Sequence, residues 1–469
     1  MAVTVSLYSG ETVAVMGLGR SGMVAAQALL SGGADVRGWD DDAARRDAAG
    51  DQGIPIADLT VQGAFDDTAA LVLSPGIPHT YPAPNPVAAA AKASRCPIIG
   101  DIDLLARSCP AARYVGVTGT NGKSTTTALI GHILVEAGMP VQVGGNLGAP
   151  ALGLDPQGKN GTYVLEMSSY QLELSPNVTF DVAVLLNVAE DHLDRHGGMD
   201  GYIAAKKRIF QGPPGVVVIG VDDVVCRSLA SQLAEQDLTV IPVSVQEPIK
   251  NGVFVQDGCL MDASGPTPRI VLRLEEAAAL PGTHNAQNAG CAYAAARALG
   301  IDDAAIADAI RSYPGLRHRQ QLVAVIDGTA YVNDSKATNA EAAARALACY
   351  DPIYWIAGGR AKQGGFGAVE DRLGTVRQAF LIGEAMDELD AALASRVPCT
   401  RSGTLKSAVA AAQAAARADA GKDPVVLLSP ACASFDQFTD FEDRGDAFCR
   451  LVAALPGQSR DFRETETSG

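Results

Sequence analysis

Residues 117–124 read V-T-G-T-N-G-K-S, directly after the apolar run Tyr114, Val115, Gly116 and before a helical stretch from Thr125 to Ala137. That is the layout of a phosphate-binding loop. Glycines at 119 and 122 let successive backbone N–H groups curl around an anion, and the following helix turns its positive end toward it. Lys123 supplies a point charge and Ser124 a hydroxyl for Mg2+, so Gly119, Thr120, Asn121, Gly122, Lys123, Ser124 and Thr125 form the candidate triphosphate cradle. The pattern departs from the usual one at its first glycine, which is Val117 here, with a glycine at 119 instead.

A second glycine-rich turn, Gly17-Leu18-Gly19-Arg20-Ser21-Gly22, lies between the first strand-like run and the first helix, and Asp40 ends the next strand. By itself this spells a dinucleotide fingerprint. The physics is broader, because any diphosphate can rest on such a turn, and Asp40 suits a ribose hydroxyl or a uracil edge alike. The run Asp40-Asp41-Asp42 would repel a 2'-phosphate, which disfavours NADP.

Further polar stretches follow apolar runs. L-E-M-S-S-Y-Q-L-E at 165–173 and N-V-A-E-D-H-L-D at 187–194 fall at strand ends. Such ends converge beside the phosphate loop in an open α/β sheet, so Glu166 and His192 are placed to hold Mg2+ near a triphosphate. The helical segment 202–210 carries three consecutive cations, Lys206, Lys207 and Arg208, and sequence alone reads it as a basic surface. Near the C-terminus N-D-S-K-A-T-N (333–339), G-G-R-A-K (358–362) and S-P-A-C-A-S-F-D-Q-F (429–438) are loops that follow strands, where function concentrates. Cys432 has no evident catalytic histidine partner, which argues against a nucleophile.

The elements that must position these residues are alternating strands and helices. In the first hundred residues Thr12 to Gly17, Ser21 to Leu30, Asp35 to Trp39, Ala70 to Ser74 and Val87 to Ala93 keep that rhythm, which predicts a parallel sheet with crossover helices. A second series starts at Tyr114, and a third follows the linker-like Ser312-Tyr313-Pro314-Gly315. The expected division is α/β throughout, with domains at 1–101, 102–314 and 315–469 and hinges near 101 and 314. A length of 469 residues fits about three domains.

A net charge of −16 argues against a nucleic-acid or anionic-membrane partner. No run approaches a membrane span and no positive charge precedes Arg20, so a cytoplasmic protein without a signal peptide is expected. Nine scattered cysteines without C-x-x-C spacing argue against a disulfide framework or a structural zinc.

Taken together, V-T-G-T-N-G-K-S, the Glu166 segment, E-D-H-L-D, H-N-A-Q-N at 284–288, N-D-S-K-A-T-N and S-P-A-C-A-S-F-D-Q-F resemble the motifs of the cytoplasmic Mur ligases, over the whole chain. The resemblance implies a Rossmann-like N-terminal domain for a UDP-sugar, a central P-loop ATPase domain with a parallel sheet, and a Rossmann-like C-terminal domain for an amino acid. The implied reaction adds D-glutamate to UDP-N-acetylmuramoyl-L-alanine through an acyl phosphate, at the cost of ATP, in peptidoglycan precursor synthesis. Its partners would be small molecules only, and the protein a monomer.

Carried over by residue, the resemblance gives the uridine nucleotide substrate to Ser21, Asp40, Ser74, Gly76 and Asn146. It gives ATP to Gly119 through Thr125 with Asn285, Asn288, Arg319, Asp334 and Lys336, and two Mg2+ ions to Ser124, Glu166, His192 and Lys206. Lys206 matches a lysine carbamylated by CO2, and Lys123, Glu166, His192 and Lys206 make up the catalytic set. Thr338, Lys362, Ser434 and Phe441 match the D-glutamate pocket. Two positions depart from the family: Arg360 stands where an acidic residue can occur, and Asp42 where an arginine can help bind uridine. An NAD-dependent oxidoreductase would leave the second phosphate loop idle, and a P-loop switch protein would need no glycine-rich first domain. Folylpolyglutamate synthesis shares the loop and the Lys206 region.

Overall fold

The computed structural model describes residues 2–461 except 213, 237, 362–364, 394–395 and 420–422. By packing, the chain divides into two compact units, one made of Met1–Glu276 with Thr283–Arg311, the other of Ala277–Gly282 with Ser312–Gly469.

The first unit contains two sheets. The smaller is a four-stranded parallel sheet in the order Asp35–Trp39, Thr12–Met16, Thr68–Leu73, Ile98–Ile99. The larger has nine strands, and Arg113–Thr118, third from one edge, is paired in parallel with Thr162–Glu166 on one side and Val182–Leu185 on the other. These strands read as near-continuous apolar runs because helices cover both their faces. The far edge turns antiparallel through Val253–Gln256, Cys259–Asp262 and Arg269–Arg273. Helix Lys123–Glu136 lacks a one-sided apolar stripe and buries Leu129, Ile130, Ile133 and Leu134, as a helix held between layers must.

The linker expected near 101 is instead a helix, Asp101–Ser108. Its Ile102, Leu104 and Leu105 join one core with Val13, Val15 and Val36 of the first sheet and Tyr163 and Leu165 of the second. Asp103 is fully buried and accepts from the backbone N–H and side-chain amide of Asn177 at 2.9 and 3.3 Å, so the polar look of G-D-I-D comes from internal hydrogen bonds.

The second unit is a seven-stranded sheet in the order Cys399–Gly403, Val376–Ile382, Ile353–Gly358, Val425–Leu428, Thr329–Asn333, Gln321–Ile326, Ser459–Asp461. The first five strands run parallel, and the expected pair 321–326 and 329–333 is an antiparallel hairpin. The alanine-rich helix Leu405–Ala418 buries Leu405, Ala408, Val409, Ala412 and Ala416 in a core with Tyr331, Tyr354 and Ile356. Both units are therefore α/β. Among the described residues no helix is long and apolar enough to cross a membrane.

Candidate active site

In the first unit the strand Arg113–Thr118 delivers the phosphate loop onto helix Lys123–Glu136. Gly122 has φ +85°, and a Cβ there would lie 2.2 Å from Asn288 Oδ1, so both conformation and space demand glycine. Lys123 Nζ donates to the carbonyls of Gly119 and Thr120 at 2.9 Å each, which holds the ammonium at the mouth of the loop. Asn288 and Asn285 are buried under the loop and bonded to each other at 3.1 Å. Asn187 braces the loop from the next strand end: its Oδ1 accepts from the Asn121 N–H at 2.9 Å and its carbonyl from the Thr120 N–H at 2.9 Å.

Glu166 ends its strand 2% exposed. Oε1 accepts from Asn146 Nδ2 at 2.7 Å, while Oε2 has no hydrogen-bond partner among the described residues. A buried, half-satisfied carboxylate is costly unless something completes it. The same holds for Lys206, 2% exposed, whose Nζ donates to the Gly119 carbonyl at 2.8 Å and sits 4.6 Å above the Tyr202 ring. Burial, with the charge of Lys123, pushes its pKa down to about 7. Of the three consecutive cations only Lys206 turns inward; Lys207 is exposed and Arg208 half-buried. His192 is exposed at φ +51°, with its ring 5.3 Å from that of Tyr170.

Lys123, Asn146, His192 and Lys206 line one end of a cleft of about 730 Å3, and Gly17, Ser21, Asp40, Ser74 and Gly76 line the other. At that second end a Cβ on Gly22 would fall 1.7 Å from the Gly17 carbonyl, so the turn closes only with glycine. Asp40 is buried and accepts from the N–H groups of Leu18 (2.7 Å) and Asp42 (2.9 Å), so it shapes the turn as well as facing the cleft. Asp42 caps helix Ala43–Asp51 by accepting from the Ala44 N–H, which explains an aspartate at that position. The cation at this end is Arg45, which lines the cleft 3.6 Å from Asp40. Sequence reasoning missed it, since a helix-borne arginine reads as surface.

Among the described residues no three His, Cys, Asp or Glu side chains cluster as a metal cage. Mg2+ does not need one, because it keeps substrate phosphate and water oxygens as ligands. The buried hydroxyl-bearing Ser124 and the orphan Glu166 oxygen fit such an ion.

In the second unit Asp334 is buried, accepting from Gln320 N–H at 3.1 Å and Ser429 Oγ at 2.8 Å, and burial pushes its pKa up to about 7 while Arg319 opposes the rise. Lys336 Nζ stands 4.4 Å from the Phe441 ring. Arg444, which sequence reading passed over, is 1% exposed and donates to Ser335 O, Cys432 O and Gly358 O at 2.9, 3.1 and 3.4 Å. It thereby ties together the three loops that carry Asp334, Thr338, Arg360 and Ser434. Arg360 makes an exposed pair with Glu384 at 3.0 Å. The Cys432 thiol is buried and pushed up to about 12, as expected of a residue that is no nucleophile. Lys362 lies outside the described residues.

Residues 117–296 match the Mur ligase middle domain. The chain belongs to the Mur ligase family. It is 53% identical to a protein of Rhodospirillum rubrum over 96% of this chain and 95% of that one, and 51% identical to one of Paramagnetospirillum magneticum over 97% and 98%. Both relatives are named UDP-N-acetylmuramoylalanine--D-glutamate ligase. The fold is also similar to that of the UDP-N-acetylmuramate-alanine ligase of Thermotoga maritima, with a TM-score of 0.56 at 18% identity over 94% of this chain and 99% of that one.

Proposed function

We propose that this protein joins D-glutamate to UDP-N-acetylmuramoyl-L-alanine with conversion of ATP to ADP and phosphate, a step of peptidoglycan precursor synthesis. The observation that supports it most is one cleft lined both by a glycine-rich diphosphate turn and by Lys123 of the phosphate loop, the buried Lys206 amine and Asn146, which is bonded to Glu166. High identity over nearly the full length to ligases of that name supports the same reading.

The chemistry follows from an obstacle. An amine does not usefully attack a carboxylate, because the anion repels electrons and oxide is a poor leaving group. In the first step a carboxylate oxygen of the substrate attacks the γ-phosphorus of ATP, the bond to the β,γ-bridging oxygen breaks, and ADP leaves. The amine of D-glutamate then adds to the acyl phosphate carbonyl, loses a proton, and inorganic phosphate departs with the C–O bond electrons. Lys123 neutralises charge that spreads over the transferring oxygens, and the N–H groups of 119–125 orient the triphosphate. Ser124, Glu166, His192 and Lys206 would hold Mg2+, which supplies further charge neutralisation when bound.

Lys206 fits this role as a carbamate. An ammonium would repel the metal, whereas a neutral Nζ adds to CO2, releases a proton and becomes a carboxylate-like oxygen donor. The low pKa of the buried amine favours that addition. The nucleotide substrate is assigned to Ser21, Asp40, Ser74, Gly76 and Asn146, and the adenine side of ATP to Asn285 and Asn288. Arg319, Asp334 and Lys336 are assigned to ATP, and Thr338, Lys362, Ser434 and Phe441 to D-glutamate.

The test is phosphate release from ATP with UDP-N-acetylmuramoyl-L-alanine, comparing D-glutamate with L-glutamate, L-alanine and a folate acceptor pair. Release that requires both the UDP substrate and D-glutamate is expected. Release independent of an amino acid, or equal with L-glutamate, would overturn the reading.

A further inference from the structure

We propose that Ser169, His196 and Glu173 form a line in the cleft wall that fixes the Ser169 hydroxyl as an acceptor, so that this point of the wall takes an N–H or O–H donor of the carboxylate-bearing substrate. Naming that substrate rests on the ligase reading above; the geometry does not.

Ser169 lines the cleft and is 3% exposed, and its Oγ lies 2.9 Å from His196 Nε2. The other imidazole nitrogen, Nδ1, is 3.3 Å from Glu173 Oε1, off the axis of a full hydrogen bond. The ring has little freedom to turn, being stacked 5.4 Å from Tyr170 and tilted 5.5 Å from Tyr202.

Which way the protons point follows from what each group can do. Burial, aided by the charge of Arg195, pushes the His196 pKa down to about 4, so at neutral pH the ring carries a single N–H. Burial raises the Glu173 pKa against the charges of Arg208 and Arg195. Glu173 Oε1, 3.3 Å away, is the acceptor that Nδ1 faces, which places the ring N–H on Nδ1. Nε2 is then a lone pair, and Ser169 must donate its only proton to it. What the hydroxyl keeps for the cleft is acceptor capacity. An amide or hydroxyl donor is welcome there, and a carboxylate or phosphate oxygen is repelled.

The consequence is orientation. Lys123 also lines this cleft, so the wall offers a cation for an anion and Ser169 for a donor. A substrate with its carboxylate beside an amide N–H has one favoured way to lie. The residue types Ser, His and Glu also occur in hydrolytic triads, so a nucleophilic Ser169 is the competing outcome of the test.

Calorimetric binding of UDP-N-acetylmuramoyl-L-alanine to the full chain, alongside steady-state kinetics, reads the proposal directly. His196→Phe keeps the ring contacts but removes both nitrogens, and it should weaken binding about tenfold, the worth of one hydrogen bond. KM for the UDP substrate should rise more than kcat falls. His196→Gln can offer an acceptor to Ser169 and should recover most of the loss. Ser169→Ala should lose about as much as His196→Phe, and the double variant no more than either alone. Additive losses, or no rescue by Gln in a folded variant, would overturn the line. So would Ser169→Ala that binds normally but loses kcat by about a thousandfold, since that marks a nucleophile. Intact UDP-substrate binding with no D-glutamate-dependent turnover would defeat the ligase reading and leave this test standing.

Discussion

Two buried charges in the first unit have opposite company. Asp262, at the antiparallel edge of the large sheet, is 1% exposed and accepts from Ser264 N–H, Arg269, Tyr293 OH and Arg297 at 2.9, 2.7, 2.8 and 3.0 Å. Burial alone would raise its pKa, but the hydrogen bonds from Ser264, Arg269 and Tyr293 hold it down at about 2. Lys206 is as deeply buried, yet among the described residues its one hydrogen bond is to the Gly119 carbonyl, and its pKa falls to about 7. A satisfied buried charge belongs to the fold, whereas one held against its preferred state marks a place where chemistry completes it. Glu166, with one oxygen bonded and one orphaned, sits on the Lys206 side of this division.

The widest separation between the two should come from Lys206→Ala. The variant should lose activity by about a thousandfold or more, as does removal of a preorganised group that stabilises the reacting charge. Its thermal midpoint should hold or rise, because a desolvated amine leaves the core. Short-chain carboxylates should restore part of the turnover by supplying the missing oxygens. Lys123→Ala should be equally inactive and folded, but carboxylates should not help it. Full activity of Lys206→Ala would erase the distinction.

Asp262→Asn should do the reverse, leaving kcat nearly intact and costing stability. Its two arginine partners are half-exposed, so the loss is roughly 1–3 kcal/mol, well short of a fully buried broken pair. The pH dependence has a definite sign. The folded pKa lies below the unfolded one, so the contribution is present above about pH 4 and disappears as pH falls from about 4 to about 2. Acid unfolding curves of the two proteins should converge in that window. If they stay parallel below pH 2, the Asp262 carboxylate is not what holds this edge.

How much of this was readable beforehand follows from how local each signal is. The phosphate loop and the Gly17–Gly22 turn were legible because backbone shape alone requires their glycines, at φ +85° for Gly122 and by direct contact for Gly22. The α/β alternation was legible for a similar reason, since buried parallel strands are continuous apolar runs. What stayed hidden depends on partners far apart in the chain. Three adjacent cations at 206–208 look alike until packing turns one inward. His196 gains its meaning from Ser169 and Glu173, and Arg444 from Ser335, Gly358 and Cys432. The helix at 101–108 was not legible because buried aspartates and linker aspartates read the same in one dimension.

The smallest effect tests whether a satisfied network can still serve function from a distance. Gln287 Nε2 donates to Asp222 Oδ2 at 2.8 Å, and its Oε1 accepts a long bond from Asn187 Nδ2 at 3.4 Å. Asn187 in turn holds Asn121 and Thr120, while Asp222 is anchored by Ser244 Oγ at 2.7 Å. The line runs to the phosphate loop through one side chain, Gln287, whose two hydrogen bonds go to Asp222 and Asn187. Replacing it by Gln287→Leu keeps the volume and removes both ends of the connection. A weak 3.4 Å link transmits little, so KM for ATP should rise by about three- to tenfold, at or below the bottom of the range for a supporting residue. The UDP-substrate requirement should move by less than twofold, since the Gly17 turn lies at the other end of the cleft. If instead KM for both substrates rises together, with a lowered thermal midpoint, Gln287 belongs with Asp262 as a part of the fold alone.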